Sequence, residues 1–316
     1  MSSLTGEALT PLDVPESTEN GRFSQETVRR IREASIFLPF SLAAVSFLWC
    51  AYLFAASLLW ARYSSFAVLL VPTVGAYLFS WLGFYRHELW HRYFPKINNA
   101  AWYDFVSSLL FSDPQVFRAA HASHHKFVHT PDDLEFFCQD WVTDRGRRKR
   151  QFILELLFGN VAWELSLFRR LRKRGQATWR ARLVAFARQV AISASLLVLV
   201  VWTHPGAGRF FFATCMLTVW SGAVMTRHVQ WIEHLNIVSD GPLAERNLLT
   251  RNLCSDTVWG RLFNVLSHHD AREHVYHHTE PRLNGRGLAG LQLPPDARTI
   301  ALSEYPRILW GYYRNL

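Results

Sequence analysis

Histidine is placed along this chain in short boxes rather than scattered. Of the fourteen, His87 and His91 stand in Arg86-His-Glu-Leu-Trp-His-Arg92, and His121, His124 and His125 in His-Ala-Ser-His-His. His274, His277 and His278 form His-Val-Tyr-His-His, and His234 closes Trp231-Ile-Glu-His. Residues three and four apart share a helix face, so each box aims two or three imidazoles in one direction. Neutral imidazole is a good ligand for iron, zinc, copper and nickel. One cation needs about three or four such groups. The boxes offer eight and His234 a ninth, which suits two cations. Glu88, Glu233, Asp270 and Glu273 flank the boxes, where a carboxylate can take an imidazole N–H and fix tautomer and ring angle. Ordinary surface charge is the competing reading for these four. His268 and His269 are candidates for the same supporting role. His129, His204 and His228 read as hydrogen-bonded or solvated side chains.

Rigid elements must carry these boxes, and the apolar pattern supplies them. Half of the chain is hydrophobic, with 13 Trp and 23 Phe, and long apolar runs alternate with charged stretches, as in a membrane protein. Spans are expected at about 36–60, 66–85, 183–202 and 210–229. Arg62-Tyr-Ser-Ser65 joins the first two into a hairpin, and His204-Pro-Gly-Ala-Gly208 joins the others. Arg188, near the start of the third, is expected to reach toward the headgroups. Ala101 to Phe111 and Gln151 to Phe168 are too short or too interrupted to span and read as interfacial or re-entrant helices. The two short connections hold one basic residue each, Arg62 and Arg209, whereas residues 86–182 hold 17. The positive-inside rule therefore puts both termini and every box in the cytosol.

The formal charge of +9 comes without any nucleic-acid-binding motif, so the basic surplus is assigned to an anionic leaflet or an acidic soluble partner. Cys50, Cys138, Cys215 and Cys254 are far apart and form no CxxC pair, which fits a reducing compartment. Residues 1–35 are a polar leader without the features of a cleaved signal peptide.

The order HxxxH, HxxHH, HxxHH, split around the second hairpin, resembles the membrane fatty acid desaturase and hydroxylase superfamily over roughly residues 36–280. His87-Glu-Leu-Trp-His91, Trp231-Ile-Glu-His234 and His277-His-Thr-Glu-Pro281 are also similar to elements of integral-membrane alkane hydroxylases. The second box has desaturase-like spacing. The resemblance implies an all-α polytopic fold, with four transmembrane helices capped by a cytosolic domain and followed by a cytosolic tail over 281–316. It implies a non-haem pair of iron ions held by His87, His91, His121, His124, His125, His234, His274, His277 and His278. Such a centre uses dioxygen and outside electrons to oxidise an unactivated methylene of a lipid chain, chemistry that no side chain performs alone. Desaturation is the leading outcome, with hydroxylation and oxidative decarboxylation to a terminal alkene as alternatives.

Two other classes compete. His87-Glu-Leu-Trp-His91 satisfies the HExxH motif of zinc peptidases, but one zinc leaves two boxes unexplained. A metal carrier would place ligands within the membrane along a path, whereas these boxes lie outside the spans. His204-Pro-Gly is followed by Ala207 and reads as a turn rather than a fused haem domain. Electrons are therefore expected from a separate ferredoxin, rubredoxin or cytochrome b5, for which the basic run Arg145–Arg150 is a candidate dock. Arg outnumbers Lys 30 to 4, which suggests a bacterial inner membrane.

Overall fold

The computed structural model describes residues 37–135, 144–254, 257–266, 274–279 and 293–316, and over these the chain is almost wholly helical. Helix α1 (Leu38–Arg62) turns at Tyr63 into α2 (Ser64–Trp90). Four shorter helices follow: α3 (Asn99–Leu109), α4 (Pro114–Phe127), α5 (Arg145–Phe158) and α6 (Asn160–Lys173). Helix α7 (Trp179–Thr203) and helix α8 (Gly208–His234) are joined by a single 3-10 turn over Pro205–Ala207. At about 1.5 Å per residue, each of these long helices exceeds the roughly 30 Å of a hydrocarbon core. Helices α1 and α7, and the run Pro205–His234, are long and apolar enough to cross a membrane.

Large apolar side chains such as Phe40, Phe47, Leu183, Phe186, Val198, Phe212 and Met216 point outward on these helices. An exposed apolar surface of this kind suits lipid rather than water. The inward faces pack Leu42, Trp49, Leu82, Tyr85, Phe211 and Val200 into one core with Tyr103 and Val106 of α3. Pro72 lies inside α2. The Tyr52 hydroxyl donates to the Val71 carbonyl at 2.6 Å, and Ser221 donates to the Pro72 carbonyl at 2.8 Å. Neighbouring helices thus supply polar contacts around the proline, as an apolar medium requires.

Helices α2 and α8 approach closely because Gly222 faces Phe79; a Cβ on Gly222 would lie 2.2 Å from the Phe79 ring. Both helices continue past their expected ends at Tyr85 and Val229, reaching Trp90 and His234. That extension carries His87, His91 and His234 past the apolar runs of sequence on the ends of the two helices. The segment Gln151 to Phe168 is two helices, not one. They meet at Gly159, whose φ of +54° only glycine adopts readily, and whose missing Cβ would lie 2.1 Å from the Ala223 carbonyl of α8.

The chain is not purely α. Strand β1 (Arg251–Leu253), which follows α9 (Leu243–Leu248), pairs in parallel with β2 (Arg298–Ile300). The pairing follows from local hydrogen bonding: Asn252 Nδ2 donates to the Arg298 carbonyl at 2.9 Å, and Cys254 N–H to the Ile300 carbonyl at 2.8 Å. Helix α10 (Val258–Leu266) and the short α11 (His274–Thr279) lie between the strands in sequence. Within 281–316, read above as a tail, α12 (Tyr305–Asn315) packs Tyr305, Tyr312 and Leu316 with Phe152, Trp231 and Ile232 in a second core.

Candidate metal centre

Four separate elements deliver the nine boxed histidines. His87 and His91 sit on the last turn and C-cap of α2. Helix α4 carries His121, His124 and His125 from a firm start, since Asp113 accepts the Gln115 N–H at 3.0 Å and Pro114 occupies the first turn, both preferred there. At its other end, Arg246 of α9 donates to the Val128 carbonyl at 2.7 Å. His234 ends α8, and α11 supplies His274, His277 and His278. Strand β1 anchors α11, because Asn252 Oδ1 accepts the Val275 N–H at 3.0 Å. Asn247 of α9 backs it by donating to the His278 carbonyl at 3.0 Å.

These elements sort the nine into a group of five and a group of four. His87, His91, His121, His125 and His277 form the first; His124, His234, His274 and His278 form the second. Within each group the ligand nitrogens all lie within 4.8 Å of one another. The converging atom is Nε2 throughout the resolved pairs. In the first group, His87 and His277 approach to 3.0 Å, His91 and His121 to 3.2 Å, and His125 and His121 to 3.1 Å. In the second, His124 and His278 approach to 3.2 Å, His234 and His274 to 3.1 Å, and His278 and His274 to 3.2 Å. Ligands about 2.1 Å from a first-row cation and at right angles to each other stand about 3 Å apart. The spacing fits one cation per group.

The opposite ring nitrogens show how two of the rings are turned. His124 Nδ1 lies 2.8 Å from Asp133 Oδ2, and His121 Nδ1 lies 3.1 Å from Glu135 Oε2. A carboxylate only accepts, so both rings carry their proton on Nδ1 and turn a lone pair inward from Nε2. Lone pairs converging at such distances repel one another unless a cation lies between them. Burial, followed by neighbouring imidazoles, holds His91, His121, His125, His277 and His278 well below the usual imidazole pKa. They are therefore neutral, as a metal ligand must be. For His124, burial also pulls downward, but Asp133 and Glu135 outweigh it and raise the value.

Of the four carboxylates singled out in sequence, Glu88 lies 3.6 Å from His87 Nδ1 and Glu233 lies 3.4 Å from His274 Nδ1. Asp270 and Glu273 fall outside the described residues, as do His268 and His269. Asp133 and Glu135 were missed, although the run Thr130-Pro-Asp-Asp-Leu-Glu135 offered a signal, being acidic directly after the second box. A turn folds this run back on α4. Ser123 Oγ donates to the Asp132 carbonyl at 2.9 Å and accepts the Leu134 N–H at 3.1 Å. Gln230 then donates to Glu135 Oε1 at 2.8 Å, and Arg227 donates to the Glu135 carbonyl at 3.1 Å. Arg227 is itself held by Glu155 at 2.6 Å, both side chains buried.

Of the described unboxed histidines, His129 lies beside the centre, its ring 5.1 Å from that of His234. His129 is buried and pairs with Thr250 Oγ1 at 3.2 Å, His228 pairs with the Tyr305 hydroxyl at 2.6 Å, and His204 is exposed beside the α7–α8 turn. Arg188 is half exposed and reaches Asp104 of α3 at 3.3 Å. Cys50, Cys215 and Cys254 are unbridged.

Both histidine groups open on one cavity of about 70 Å³. His87, His121, His124, His234 and His274 line it, together with Ser80, Gly83 and Phe84 of α2 and Thr226 and Val229 of α8. The cavity thus touches both histidine groups and both of these long helices. Comparison with curated proteins gives no significant match. The family model for fatty acid desaturases matches residues 63–289, well over half of the chain and a stretch that takes in all nine boxed histidines. Box spacing, converging nitrogens and that match agree, and the chain belongs to the fatty acid desaturase family.

Proposed function

We propose that this membrane protein is a dioxygen-dependent di-iron desaturase acting on a fatty-acyl or similar lipid chain. The carrying observation is that nine imidazoles, seven of them buried, divide five and four, and that members of both groups line one cavity together with residues of α2 and α8. His87, His91, His121, His125 and His277 would hold one iron, and His124, His234, His274 and His278 the other. Bound there, the iron pair supplies the capacity to take electrons singly from a donor protein and to activate dioxygen for hydrogen abstraction. The chain's own residues do the rest. Asp133 and Glu135 keep His124 and His121 in the metal-binding tautomer. Phe84 and Val229 shape the apolar wall, and the closure of α2 on α8 at Gly222 limits how far a chain can pass beyond the metals.

In this reading α2 is the fourth transmembrane helix, the four long helices form two hairpins, and both termini and the histidine cap lie in the cytosol. The electron donor is a ferredoxin, rubredoxin or cytochrome b5 type protein. Hydroxylation is a second reading, supported by the alkane-hydroxylase-like elements His87–His91 and Trp231–His234, whose Glu88 and Glu233 lie beside His87 and His274. Lipid profiling by mass spectrometry in a host expressing the protein separates the two. Loss of two hydrogen atoms from one lipid class is expected; gain of a labelled oxygen atom from ¹⁸O₂ would establish hydroxylation instead. A His124→Ala variant yielding the same product would sink the site assignment.

A further inference from the structure

Arg86 forms part of the cavity wall, one residue before His87 on α2, and is only 7% exposed. Burying a guanidinium is costly unless a carboxylate answers it. Among the described residues Arg86 forms no ion pair. Its Nη1 donates to Ser112 Oγ at 2.5 Å, its guanidinium carbon lies 4.0 Å over the Phe117 ring, and its buried Nε meets no acceptor. The acids that feel its charge include Glu164 and Glu135, and both are engaged elsewhere. Glu164 takes the Ser112 hydroxyl at 2.7 Å and the Asp113 N–H at 2.6 Å. Burial pushes its carboxyl up to about 7, against the pull of those hydrogen bonds and of Arg86. Glu135 is taken by His121 and Gln230. Among the described residues the guanidinium is thus a largely unanswered cation. One aromatic layer separates it from the metal groups, since Phe117 stacks on the His121 ring at 5.2 Å and 12°.

We propose that Arg86 receives the carboxylate of the substrate, so that the site takes a free long-chain carboxylic acid with its charged end in the cavity. This deepens the lipid-oxidase reading and rests on it. A guanidinium matches a carboxylate in geometry and charge. A neutral ester would leave the cation uncompensated. Because the charged end and both histidine groups share a cavity of about 70 Å³, the carbons exposed to oxidation are those close to the carboxyl group.

The test is equilibrium binding, under anaerobic conditions, of radiolabelled palmitate and methyl palmitate to the iron-loaded protein in detergent. Wild type is expected to prefer the acid by about tenfold or more, and the preference should survive in metal-free protein, which removes direct carboxylate–iron contact as its source. Arg86→Gln, with iron content verified, should bind acid and ester alike. If that variant loses iron, Arg86→Lys, which keeps the charge but not the fork, carries the test through a reduced preference. Equal binding of acid and ester by wild type, or a full preference persisting in the iron-replete variant, overturns the proposal and leaves the lipid reading intact. Binding of neither ligand overturns both.

Discussion

Asp133→Asn should strip the metal from the four-histidine group while sparing the five-histidine group. Asp133 is 1% exposed; its Oδ2 lies 2.8 Å from His124 Nδ1, and its Oδ1 accepts the Glu135 N–H at 3.0 Å. Asparagine keeps the shape and can still accept the Glu135 N–H, which preserves the turn. Its amide nitrogen then faces His124 Nδ1, donor against donor. Relief comes when His124 moves its proton to Nε2, the atom that must bind the metal. Loss of an outer partner of this kind typically costs 10–100-fold in metal affinity, or about 1.4–2.7 kcal/mol. The tautomer change places Asp133→Asn at the upper end. Glu135→Gln repeats the perturbation on His121 and hence on the other group. The assay is iron per chain after graded chelator dialysis, with helicity followed in parallel. Each variant should fall from two irons toward one, and the double variant toward none. Two irons retained at wild-type affinity in both single variants, or simultaneous loss of both irons in each, would refute the division into two groups linked to two carboxylates.

Three further outcomes are expected. Arg227→Met leaves Glu155 buried without its partner, since the pair lies at 2.6 Å with both side chains 2% exposed or less. A loss of about 3–5 kcal/mol is expected, seen as a lowered unfolding midpoint, and the Arg227→Met/Glu155→Met double variant should recover much of it. Glu164 has a folded pKa of about 7, raised from 4.5 by burial. The folded state therefore binds the extra proton, and this contribution to stability is full below pH 4.5 and lost as pH rises through 7. Unfolding midpoints across that range should fall for wild type and stay flatter for Glu164→Gln. Cysteine reporters at the exposed Gly206 and Lys126, in a background without native cysteines, should label from opposite faces of sealed vesicles. Labelling of both from one face would break the proposed topology.

The convergence of the boxed histidines was legible because their signal is local. Imidazoles at spacings of three and four must share a helix face, and that rule gathers His121, His124 and His125 on one side of α4 and His274, His277 and His278 on one side of α11. Nothing local says which group a histidine joins. His124 and His125 are neighbours in sequence yet serve different groups, because the step of about 100° between successive helical residues turns their rings apart. The partition depends on how α4 sits against α8 and α11, a tertiary fact. The same limit hid Asp133 and Glu135. As a string they read as an acidic loop, and only the turn locked by Ser123 returns them to the rings of their own helix. Strand β1 was invisible for a related reason. Three residues carry no usable period, and the pairing with β2 links residues 251 and 298 across a long stretch of chain. Apolar runs located the long helices well but placed the ends of α2 and α8 too early, because the sequence turns polar before the helices stop. Helical hydrogen bonding does not stop there. It continues to His87 and His234, so the stretches that looked least like membrane helix are the ones that hold the ligands in place.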